Sequence, residues 1–180
     1  VSKEYLSFDR FFYPLMHGSK VCERLDRSIR LELCALAERL SEDFLHMTTA
    51  HFALLEGAED LIRYLAEKYP LTVVTNGFVE VQYEKFEKSG LKDCFAHIVL
   101  SEEVGCQKPN PRIFEEALRM NGLDASEVVM IGDSFSSDIA GANTVGIDTI
   151  WLAQPDNITD EQSKVATYIV TSLQEIKQLL

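Results

Sequence analysis

The sequence predicts an α/β protein in which a parallel β-sheet is covered on both faces by helices, preceded by an all-helical segment. Three observations carry this prediction. From Glu56 onward, short β-branched runs alternate with amphipathic helical patterns, as successive right-handed βαβ units require. The runs are nearly continuous in apolar residues, as strands buried on both faces must be. Before about residue 53 the apolar spacing is helical, and no strand pattern occurs. The expected organisation is a helical domain over residues 1–52 and an α/β core over residues 53–180.

In the first domain, EYLSFDRFFYPL is expected to be a helix ending near Pro14, whose ring cannot continue it. LELCALAERLSEDFLHM places Leu33, Leu36, Ala37, Leu40, Phe44 and Met47 at helical spacings. The aromatics Phe8, Phe11, Phe12 and Tyr13 can pack that domain's core, the ordinary use of such residues, or line a site. The second domain opens with the helix GAEDLIRYLAEKY and the strand LTVVTN. The helix VEVQYEKFEKSG stops at Gly90 and leads to the strand HIVLSEE. Pro111 starts and Gly122 ends the helix PRIFEEALRMNG, which precedes the strand EVVMIGD. A helix from about Ser136 to Val145 leads to the strand DTIWLA, and the strand TYIVTS and helix LQEIKQLL complete the pattern.

Composition narrows the function. At 180 residues, 46% hydrophobic and 26% charged, the chain has the material for one core and a small second domain. A net charge of −12 argues against nucleic acid, because no basic stripe is left to neutralise phosphates. A small phosphate would need local help from a lysine or a metal. No apolar run approaches the ~20 residues of a membrane span and no signal-peptide pattern occurs, so the expectation is a cytoplasmic protein without a membrane partner. Cys22, Cys34, Cys94 and Cys106 lack zinc or C-x-x-C spacing and are expected to be reduced.

In open parallel sheets, ligands sit outside the carboxyl ends of the strands, and three polar clusters fall there. Thr75, Asn76 and Gly77 offer a hydroxyl, an amide and accessible backbone N–H groups for an oxyanion, or simple turn and capping chemistry. Lys108, held by Pro109 and Pro111, can neutralise a phosphate or be a solvated loop lysine. Asp133 ends its strand and Asp138 can reach back from the next helix. Their oxygens suit Mg²⁺, although Asp133 and Ser134 would also cap that helix.

The order strand-Thr-Asn-Gly, Lys-Pro, strand-Gly-Asp-x-x-x-x-Asp resembles the haloacid dehalogenase-like (HAD) superfamily over roughly Leu54 to Leu180. TNGF, SEEVGCQKPNPRIF and GDSFSSDIAGANTVGI look like its pyrimidine 5′-nucleotidase subfamily. The resemblance implies a Rossmann-like core with a helical cap. It also implies Mg²⁺-dependent hydrolysis of small phosphomonoesters, nucleoside monophosphates among them, through an aspartyl-phosphate. By the same resemblance, Thr75, with backbone N–H groups around Asn76 and Gly77, would hold the phosphoryl group and Lys108 would neutralise it. Asp133 would ligate Mg²⁺, and Asp138 would bind a metal water or orient Lys108. A monomer or weak dimer is expected.

The family's first motif, a strand ending in a nucleophilic Asp-x-Asp, has no match here. Asp9 and Asp26 follow no buried strand, and Asp43 and Asp60 lie in helical patterns. The expectation is a chain that begins within the cap, lacks the central strand between those ending at Thr75 and Gly132, and is inactive alone. The alternatives are a catalytically dead module binding phosphate or protein, and a 2-haloacid dehalogenase, whose chemistry needs no metal.

Overall fold

The computed structural model describes residues 27–50, 52–155 and 158–180, and the chain divides into two compact units, Val1–Phe52 and Ala53–Leu180. In the first, helix α1 (Arg27–Ala50) confirms the helical spacing. Its Leu33, Leu36, Leu40 and Met47 side chains are exposed. The expected helix ending near Pro14, the aromatics Phe8, Phe11, Phe12 and Tyr13, and Cys22 lie outside the described residues.

The second unit alternates as predicted: α2 (Ala58–Ala66), β1 (Leu71–Thr75), α3 (Val79–Ser89), β2 (Phe95–Leu100), α4 (Ser101–Val104), α5 (Pro111–Asn121) and β3 (Val129–Gly132). A π-helical turn (Phe135–Ile139) then runs into α6 (Ala140–Asn143), followed by β4 (Asp148–Leu152), β5 (Tyr168–Val170) and α7 (Leu173–Leu179). The punctuation is local chemistry. Gly90 and Gly122 close α3 and α5 with positive φ, as helix C-caps commonly do. Asn110 accepts the Arg112 N–H ahead of Pro111, opening α5 with a cap and a residue that has no N–H to lose.

The strands are mostly shorter than expected, and β2 departs most from its expected bounds. The run around His97 begins at Phe95 and stops at Leu100, and Ser101–Val104 turn into a short helix instead of extending it. The Ser101 carbonyl accepts the N–H groups of Gly105 and Cys106, closing a turn that the polar residues Glu102 and Glu103 can line without being buried.

Every strand pair is parallel, yet the sheet is in two parts, β1–β2 and β3–β4–β5. Among the described residues, β1 pairs only with β2 and β3 only with β4, so each presents one edge with no strand beside it. Side chains alternate along the strands and build a core on each face. Leu61 and Leu65 of α2, Ile150, Val170 and Ile176 of α7 pack together on one face. Val99, Ile113 and Phe114 of α5, Ala142 and Ile147 pack elsewhere. Trp151, next to Ile150 in β4, joins Ile139 and Ala153 in a third cluster. No helix among the described residues is long and apolar enough to cross a membrane.

Candidate active site

The six candidate residues lie at the end of β1, after β3 or in the segment before α5, and Lys108 joins Asn76 to Asp138. Its ammonium lies 2.7 Å from Asp138 Oδ1 and donates to the Val74 carbonyl at 2.7 Å. The Lys108 and Asp138 side chains are only 12% and 6% exposed, so this ion pair is largely out of water. An ammonium has three N–H donors, and these two contacts leave one for a ligand.

Asn76 holds the backbone of the same lysine. Its Oδ1 accepts the Lys108 N–H at 2.8 Å, and its Nδ2 donates to the Lys108 carbonyl at 3.1 Å. The side chain expected near phosphate therefore clamps the lysine loop to the end of β1. The peptide bond that follows, Lys108–Pro109, is cis. Thr75 Oγ1 accepts the Gly77 N–H at 3.1 Å, a local turn that leaves the threonine proton free to point at an oxyanion. The Gly77 N–H is thus engaged within the loop.

The Asp138 carboxylate is fully used. Besides Lys108, Oδ1 accepts the Ser137 hydroxyl at 3.2 Å, and Oδ2 accepts the Ser134 N–H at 3.1 Å. A lysine, a hydroxyl and a backbone N–H satisfy its lone pairs, as a buried carboxylate requires. Its described contacts thus include the ion pair with Lys108. Asp133 is the opposite case: exposed, with no hydrogen bond or ion pair to its carboxylate among the described residues.

Gly132 brings the two acids together. A Cβ on it would lie 2.4 Å from Asp138 Cβ and 2.6 Å from Asp138 Oδ2, so only a glycine lets β3 end against that carboxylate. Gly132→Ala is therefore expected to push Asp138 away from Lys108 and to cost about 1–3 kcal/mol, the usual penalty for overpacking. Thermal melting tests this, and a variant melting with the wild type would contradict the close approach.

Lys108, Asp133 and Asp138 edge one cavity of about 810 Å³, whose apolar walls run along β1 from Leu71 to Val74 and along β3 from Val129 to Gly132. Two contributors had no signal in the sequence, the Val74 and Asp133 carbonyls, because a backbone acceptor carries no residue type. Trp151 is buried, and its indole N–H donates to the Asp133 carbonyl at 3.0 Å.

Among the described residues no cluster of three or more His, Cys, Asp or Glu side chains is gathered. Mg²⁺ needs no such cage, since it takes one or two protein carboxylates and keeps several waters, and the open, hard oxygens of Asp133 fit it.

The model of the haloacid dehalogenase-like hydrolase family matches residues 16–152, a span that holds every candidate residue. The pyrimidine 5′-nucleotidase YjjG of Escherichia coli is 38% identical over 148 residues, covering 79% of this chain and 63% of that protein. The glyceraldehyde 3-phosphate phosphatase of Pyrococcus furiosus is 34% identical over 122 residues, 67% of this chain and 51% of that protein. Among solved structures, YfnB of Bacillus subtilis, bound to magnesium, aligns with a TM-score of 0.72 at 27% identity over 96% of this chain and 82% of its own. The chain spans 51% to 63% of the length of these two curated relatives. By the family match, and by a fold shared with a solved structure, the chain belongs to the haloacid dehalogenase-like hydrolase family.

Proposed function

We propose that this chain carries the phosphate- and metal-handling part of a Mg²⁺-dependent hydrolase of small phosphomonoesters, nucleoside 5′-monophosphates first among them. The observation that carries this reading is the Lys108 ammonium, held between Val74 O and Asp138 with one donor left, on the same cavity as the open Asp133 carboxylate. A phosphoryl transfer needs little from the protein beyond positioning and charge stabilisation, and this arrangement offers both. Lys108 places a positive charge where phosphoryl oxygens would gather, and Asp138 holds it there. The Thr75 hydroxyl would donate to one of those oxygens, and the Asn76 backbone N–H is assigned to assist it. Asp133 would hold Mg²⁺, which supplies further neutralisation of the phosphoryl oxygens.

The nucleophilic carboxylate is assigned to an extended segment lying between β1 and β3, where, among the described residues, both strands have an open edge on the cavity that Lys108, Asp133 and Asp138 line. The names of the relatives, a nucleotidase and a sugar-phosphate phosphatase, support a phosphate ester as the substrate class.

The test is phosphate release from nucleoside monophosphates, with and without Mg²⁺. The 180-residue chain alone should show no turnover, and the same chain with a strand ending in Asp-x-Asp joined to it should show metal-dependent turnover. In that active form Asp133→Ala should lower kcat by about 10²–10³, as loss of one electrostatic stabiliser does. Undiminished activity would refute the role of Asp133. Halide release from a 2-haloacid without Mg²⁺ would favour a dehalogenase, and no activity in either form would favour a binding module.

A further inference from the structure

Asp133 is exposed and its carboxylate is held by no described partner, so its direction depends on what fixes its backbone. The residue before it, Gly132, has no side chain to brace the turn. The brace comes from β4. Trp151 stands opposite Gly132 in the parallel β3–β4 ladder, and its side chain reaches one residue further to donate from Nε1 to the Asp133 carbonyl at 3.0 Å. An indole has a single N–H donor, and this one, on a residue 4% exposed, is committed to that carbonyl. The same ring packs on Phe135, with centroids 5.0 Å apart and planes at 56°. Phe135 begins the π-helical turn that carries Asp138. One buried side chain therefore touches the loop at Asp133 through a hydrogen bond and at Phe135 through ring contact.

We propose that Trp151 is a positioning residue for Asp133: its indole N–H fixes the Asp133 carbonyl and so presents the carboxylate of that residue to the metal. This rests on the reading of Asp133 as the Mg²⁺ ligand. Groups that orient a metal ligand from behind commonly matter ten- to a hundredfold in metal affinity. Two contacts of Trp151 can be separated. Trp151→Phe keeps an aromatic ring and removes the N–H, whereas Phe135→Leu removes the ring contact and keeps the N–H.

The experiment is calorimetric titration of Mg²⁺ into the wild type, Trp151→Phe, Phe135→Leu and Asp133→Asn, with a thermal melt of each. Because Trp151 is the only tryptophan, its emission gives a second readout of metal binding in the wild type, Phe135→Leu and Asp133→Asn. The expected result is a Mg²⁺ Kd raised about tenfold in Trp151→Phe. Phe135→Leu should melt earlier with its Kd within about twofold of the wild type, since the hydrogen bond survives. A Kd in Trp151→Phe equal to the wild type, or an equal loss in Phe135→Leu, overturns the positioning role while Asp133 keeps its own. A wild type whose Mg²⁺ binding is absent, or is unchanged in Asp133→Asn, overturns the metal reading itself and this inference with it.

Discussion

Lys108→Met is expected to destabilise the protein by about 3–5 kcal/mol, because it leaves the Asp138 carboxylate buried with its cation removed. At 6% exposure that carboxylate cannot recover its hydration, and only the Ser134 N–H and the Ser137 hydroxyl remain to hold it. Asp138→Leu should cost a similar amount for the converse reason, since the ammonium then keeps only Val74 O. The double variant Lys108→Met/Asp138→Leu should recover much of the loss. A buried pair repays its desolvation poorly, and an apolar pair of similar volume is often neutral. The signature is thus strong non-additivity between the two sites, read from urea or thermal melts as a double-mutant cycle. For a domain of this size the single variants should lose on the order of 10 °C in Tm. The exposed pair Arg63–Glu59, 2.9 Å apart with both side chains more than half exposed, is the control, and breaking it should change little. Additive losses at Lys108 and Asp138, or a Lys108→Met variant melting with the wild type, would sink the description of the pair as a closed contact.

Much of the second unit was legible because its signals are local. Pro111, Gly90 and Gly122 act through φ angles and missing donors that no distant contact alters, and the helices begin and end beside them. The β2 boundary was misread because the end of the apolar run at Leu100 does not by itself say whether the strand or a helix follows, and nothing local says that the Ser101 carbonyl will be taken by Gly105 and Cys106. The three polar clusters could be placed at strand ends, but the contacts among their side chains could not. That Asp138 would turn to Lys108, and that the Asn76 amide would close on the Lys108 backbone, depends on contacts across about thirty residues of chain. In the structure Asp138 is held by Lys108, Ser137 and Ser134, whereas the Asp133 carboxylate is exposed with no partner among the described residues.

The divided sheet leads to the second large effect. Strand edges facing no neighbour expose rows of backbone N–H and C=O groups, a template for pairing with any extended chain. Among the described residues, the open edges of β1 and β3 share a cavity of about 810 Å³ lined by the half-buried Leu71, Val73, Met130 and Ile131, so partly exposed apolar side chains and unpaired backbone lie together. The 180-residue chain is therefore expected to associate as its concentration rises, seen by light scattering as mass growing beyond the monomer. A soluble peptide of about five apolar residues, the length of an ordinary strand, should bind in the gap and suppress that association. At a hundredfold excess over its Kd it should stabilise the fold by about 2.7 kcal/mol through mass action alone. Amide exchange should slow in both β1 and β3 when it binds, because a strand in the gap pairs with both edges, whereas a peptide on the outer edge of β2 or β5 would slow neither. Placing an arginine at Ile131, on the cavity wall, should abolish peptide binding by burying an unpaired charge. A peptide that ends in Asp-x-Asp should bind as the apolar one does and, in addition, bring a carboxylate to Lys108 and Asp133. A chain that stays monomeric at all concentrations and ignores both peptides would mean that β1 and β3 close on each other in solution.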